Sequence, residues 1–91
     1  MQKVSIKYNT NTEKTFSDII NESLERVAGM NGGYKVGEGL GKDGASATFA
    51  FDYHSDVEPF LQQLRNVVPR LKLAFPLLTM SAIVPKEEEV I

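Results

Sequence analysis

Hydrophobic and polar positions alternate over residues 3 to 8. Val4, Ile6 and Tyr8 fall on one side and Lys3, Ser5 and Lys7 on the other, the period-two pattern of a half-buried strand. A polar connection, Asn9 to Thr15, follows and favours turns, because its Asn and Thr side chains can bond their own backbone. The period then lengthens. Phe16, Ile19, Ile20, Leu24, Val27 and Ala28 recur at helical spacing, with Thr15 as the N-cap, Asp18 in the first turn and Gly29 or the Gly32-Gly33 pair as the stop.

All seven glycines lie between Gly29 and Gly44, immediately before the most strand-like run, Ala45 to Tyr53. This arrangement predicts a hairpin with Asp43-Gly44 as a type I′ turn, since both central positions need positive φ. Pairing outward from that turn sets Leu40 opposite Ala47, Glu38 opposite Phe49, Val36 opposite Phe51 and Tyr34 opposite Tyr53. One face is then almost all apolar. The other carries Gly37, Gly39 and Gly41 against Ala50, Thr48 and Ser46, with hardly any side chain. A second helix is expected from Val57, Phe60, Leu61, Leu64, Val67 or Val68 and Leu71, opened by a capping box of Ser55 and Glu58 and ended near Val68 by Pro69. Residues 70 to 75 fit either a further helical turn or an extended segment. A last strand covers Leu77 to Val84, with Leu78, Met80, Ala82 and Val84 on one side, and residues 86 to 91 read as a frayed, charged tail.

Strand, helix, strand, strand, helix, strand is the split βαβ order of a ferredoxin-like α+β fold. It predicts one domain over residues 1 to 85, an antiparallel sheet with both helices on one face, and right-handed crossovers. Glu38, on the core side of an edge strand, reads as protection against edge-to-edge pairing.

Composition narrows the function classes. The 91 residues are 42% hydrophobic and 24% charged, ordinary for a globular protein, and no apolar run is long enough to span a bilayer. The alternating N-terminal stretch is unlike a signal peptide, and the absence of cysteine fits a reducing compartment, so a cytoplasmic location is expected. A net charge of −2 gives no general attraction to phosphate backbones. No catalytic constellation stands out. His54, the only histidine, sits among Asp52, Ser55 and Asp56 and reads as a loop residue, and the carboxylates show no metal-ligand spacing. The glycines give GxGxG before a strand rather than GxGxxG before a helix, which argues against a dinucleotide site. No enzyme activity, cofactor or metal is expected.

The segment Gly33 to Gly44 is similar to the G-patch, a glycine-rich segment of RNA-processing proteins whose members bind and stimulate RNA helicases. The similarity lies at Tyr34, where the family usually has Trp, and at Gly37, Gly39, Leu40, Gly41 and Lys42. It implies a nucleic-acid-associated role. Base stacking of the RNA-recognition-motif kind is not expected, because Ser46, Thr48 and Ser5 occupy the open-face positions where aromatics would be needed. The reading favoured here is a small non-enzymatic protein-interaction or regulatory, inhibitor-like module. It is expected to bind a protein partner or its own copy, as a homodimer, through the open sheet face or the glycine-rich hairpin, with Gly37, Gly39, Gly41, Ser46, Thr48, Lys3 and Lys7 as the contact residues.

Overall fold

The structure, a computed structural model, describes residues 1–9, 14–41, 44–84 and 86–91. It is an α+β fold with the order β1 (Gln2–Tyr8), α1 (Lys14–Met30), β2 (Gly33–Gly41), β3 (Gly44–Phe51), a 3-10 turn at His54–Asp56, α2 (Val57–Ala74), β4 (Met80–Val84) and β5 (Glu87–Val90). The five strands form one antiparallel sheet in the order β2-β3-β1-β4-β5.

Alternation along β1 and β3 decides which side of the sheet the helices cover. Val4, Ile6 and Tyr8 pair with Phe49, Ala47 and Ala45, and all six are buried in one cluster with Ile20, Leu24 and Val27 of α1 and Phe60, Leu61 and Leu64 of α2. The ring of Phe60 packs on Phe51 and Phe49 with centroids 4.9 and 5.7 Å away and tilted planes, favoured aromatic geometry. Met80 and Ala82 continue the same face into β4, as their spacing predicts. In α1 the apolar stripe is narrower than expected, since Ile19 is exposed. Thr15 is the second residue of α1 rather than its cap. The helix runs one residue past Gly29 and closes with Asn31 N–H on the Ala28 carbonyl and the Asn31 side-chain amide on the Val27 carbonyl. Gly32 then takes φ +79, a left-handed conformation suited to glycine at a helix end.

Several expectations are corrected. Gly41 pairs with Gly44, and Leu40 with Ala45, so the hairpin register is shifted by two residues from the one predicted, and Lys42 and Asp43 of the expected turn lie outside the described residues. A shift of two keeps parity, so Glu38 still faces the helix side. A β-bulge between Lys35 and Gly37 then reverses it. Lys35 comes to lie opposite Phe49 on the helix side, while Tyr34 lies opposite Ala50 on the far face, and Tyr34 and Val36 are about half exposed instead of buried. Leu40 keeps the helix-side parity but is exposed on the edge strand. Tyr53 lies beyond β3 and is exposed.

The expected capping box is absent. The 3-10 turn takes up Ser55, and Asp56 stands at the N-cap without a side-chain cap bond. Pro69 does not end α2, which continues to Ala74. An interior proline costs on the order of 3 kcal/mol, and burial of Val68 with partial packing of Leu71 and Phe75 against the core offsets it. The last expected strand begins at Met80, and Leu77 is exposed. Finally, the segment expected to fray is a strand. Glu87, Glu88, Glu89 and Val90 pair with Val84, Ile83, Ala82 and Ser81, the Ile91 N–H donates to the Met80 carbonyl at 3.0 Å, and Ile91 packs against the core.

Phe51→Ala is expected to destabilise the fold by about 3–5 kcal/mol, because it empties a fully buried ring contact. Thr48→Ala, on the other face, should cost about 1 kcal/mol for its bond to Ser5. Denaturant melts separate the two, and equal losses would contradict the assignment of faces. Tyr8 supplies a second expectation. Its hydroxyl donates to Asn21 Oδ1 at 2.9 Å and the Ser17 carbonyl at 3.3 Å, and burial pushes its pKa above the ordinary value, opposed by the nearby Ser17 side chain and the Lys35 charge and helped by the charges of Glu38 and Asp18. The fold thus favours the neutral hydroxyl. That contribution is fully present below the unfolded value of about 10 and is lost as pH rises through the higher folded value. Tyr8→Phe should cost about 1 kcal/mol at neutral pH and reduce the alkaline fall in stability, as read by urea melts from about pH 7 to 11.

Candidate functional site

The residues that the sequence nominates all come to one place. Pairing across the sheet defines rows on the face opposite the helices. Gly39, Ser46, Lys7, Ser81 and Val90 make one, and Gly37, Thr48, Ser5, Ile83 and Glu88 make the next. Tyr34, Ala50 and Lys3 form a third, and Gly41 with Gly44 closes the hairpin end. Gly37, Gly39, Gly41, Ser46, Thr48, Lys3 and Lys7 are therefore on a single surface.

Its relief follows from the side chains that are missing. With glycine on β2 and small residues on β3, the hairpin end of the face sinks into an open depression of about 720 Å³, bordered by Lys7, Asn9, Thr79, Ser81, Glu88 and Val90. Gly44 is obligatory here. A Cβ at that position would run into the Tyr8 carbonyl, so only glycine lets the two backbones approach. Asn9, next to Gly44, ties this end of β1 to the segment before β4, accepting from the Thr79 N–H at 2.7 Å and donating to the Leu77 carbonyl at 2.7 Å.

The polar groups are paired along the sheet rather than gathered for chemistry. Ser5 and Thr48 share a hydrogen bond of 2.9 Å, and the Ser81 hydroxyl donates to Glu88 at 2.8 Å. Lys3 and Lys7 make no ion pair among the described residues. His54 lies at the other end of the sheet, its Nδ1 3.3 Å from the side-chain oxygen of Gln2. Among the described residues no group of three or more His, Asp or Glu could hold a metal ion, and no helix is long and apolar enough to cross a membrane.

On the helix side, the bulge gives β2 a polar seam. Lys35 Nζ is 3.1 Å from Glu38 and 3.4 Å from Glu25 of α1, and Asn21 donates to Glu38 at 3.4 Å. The Glu38 bond raises the Lys35 pKa, with the Glu25 bond adding to it, against the opposing effect of burial. Arg65 of α2 does a similar job at the far edge, reaching Glu58 at 3.2 Å and Glu89 at 3.3 Å.

Sequence reasoning missed Glu88, Val90 and Tyr34 as members of the open face. Glu88 and Val90 are two apart, as strand neighbours on one side must be, but three glutamates in a row mask that alternation. Comparison with models of known protein families, with curated proteins and with solved structures gives no match to this chain.

Proposed function

We propose that the chain is a small, non-enzymatic protein-interaction or regulatory module, inhibitor-like in character, that binds a protein partner or a second copy through the sheet face opposite the helices. The uncovered face is the observation that carries this reading. Five strands present it, and bare glycine backbone on β2 lets another chain approach closely. Ile83 and Val90 supply apolar contacts, while Lys3 and Lys7, which make no ion pair among the described residues, offer cations that suit acidic side chains. The order β2-β3-β1-β4 supports reading the first four strands and two helices as ferredoxin-like, with β5 added beside β4. A cytoplasmic site of action belongs to the same reading and rests on the cysteine-free composition.

A nucleic-acid-associated role is the second reading, and the shared placement of Lys3 and Lys7 beside Ser5 favours it. The two separate by salt. Binding of mixed RNA that weakens steeply with added salt supports the nucleic-acid role, whereas protein capture insensitive to salt supports the first.

Ser46→Tyr tests the surface directly. Ser46 stands between Lys7 and Gly39, so a ring there can lie over bare backbone without entering the core. The variant is expected to melt within about 0.5 kcal/mol of wild type, yet to lose the partners that wild type retains in affinity purification from the native host. An identical partner set on a folded Ser46→Tyr would contradict the proposal.

A further inference from the structure

The two edges of the sheet offer different things to another strand. β5 is short and carries Glu87, Glu88 and Glu89 in succession, so two copies meeting there would repel. β2 runs nine residues, Gly33–Gly41, with no proline, one cation and one anion. Lys35 and Glu38 cancel, and Tyr34, Val36 and Leu40 are 47%, 46% and 68% exposed along it.

We propose that the outer edge of β2 pairs with β2 of a second copy, antiparallel, about a two-fold axis between Val36 and Gly37. This goes beyond the open-face reading and does not depend on it. The bulge is what makes the pairing self-complementary. In a regular strand, residues three apart face opposite sides, so Lys35 and Glu38 could not oppose each other across a two-fold axis. The register shift between Lys35 and Gly37 puts both on the helix side, with their charged groups 3.1 Å apart within one copy. Pairing about that point sets Lys35 opposite Glu38 of the second copy, and Glu38 opposite that copy's Lys35, so the charge that guards this edge against other strands meets a cation in this one register. On the open side it sets the half-exposed ring of Tyr34 opposite Gly39, which has no side chain to obstruct it, and does so twice. Opposite charges and a ring over bare glycine are both favourable cross-strand pairs. The result joins two five-stranded sheets into one.

Sedimentation velocity across a concentration series tests this. Wild type is expected to dimerise, and Glu38→Lys and Lys35→Glu should each raise the dissociation constant about tenfold or more, since two opposite-charge pairs become two like-charge pairs. An equimolar mixture of these two variants should regain the dimer, because one then presents only cations and the other only anions at the paired positions. Tyr34→Lys leaves the ion pair intact and should weaken the dimer too, which keeps the test decisive should a charge reversal unfold the chain. A wild-type chain monomeric at sub-millimolar concentration, a dimer unmoved by the edge substitutions, or no recovery in a mixture of folded charge variants would overturn the proposal. A dimer lost in Ser46→Tyr but kept in the edge variants would assign self-association to the open face and overturn it equally.

Discussion

Burial of Phe49 and Phe51 on one side of a strand whose other side carries Ser46, Thr48 and Ala50 is the constraint on which this structure depends. β3 pairs with both β2 and β1, so its parity is handed to its neighbours through hydrogen-bond register. Val4, Ile6 and Tyr8 must then join the phenylalanines, and β4 inherits the same sense from β1. The helices follow, because Phe60, Leu64, Ile20 and Leu24 have only one apolar surface on which to pack. On β3 the side that the helices do not cover carries the small side chains of Ser46, Thr48 and Ala50.

Ala50 illustrates how far that division reaches. It is fully buried, yet it stands outside the core cluster, on the open face between Lys3 and Tyr34. Ser5 and Thr48 likewise satisfy each other across the sheet. The open face is therefore finished as a surface, with its polar groups paired locally and its cations left outward. The polar seam of Lys35, Glu38, Glu25 and Asn21 does the corresponding task along β2, where the edge strand meets α1.

Much of this was legible in the sequence, and the parts that were not have specific physical causes. Alternation in residues 3–8 and 45–51 made the faces legible because apolar side chains there interleave with polar or small ones. The register of the hairpin was not legible, since a strand of alternating glycines offers no side chains to tell one register from the next by two. The bulge was hidden for a similar reason: Tyr34 and Val36 alternate like core residues, and only the shift at Lys35 turns Tyr34 to the other side. Pro69 misled in the opposite sense, because apolar residues beyond it hold the last turns of α2 against the core. β5 was obscured by charge. Its glutamates find Ser81 and Arg65, contacts that depend on residues distant in the chain and leave no local mark.

One face of β3 is sealed by the helices and the other is open. Relaxation of side-chain protons by a soluble paramagnetic chelate, read by NMR on adjacent residues, measures this directly. The methyl of Ala47, fully buried on the helix side, should be unaffected by the probe, while the methyl of Thr48 on the opposite side should relax strongly in the monomer. Equal protection of the two methyls in the monomer, or strong relaxation of Ala47 with protection of Thr48, would contradict the account.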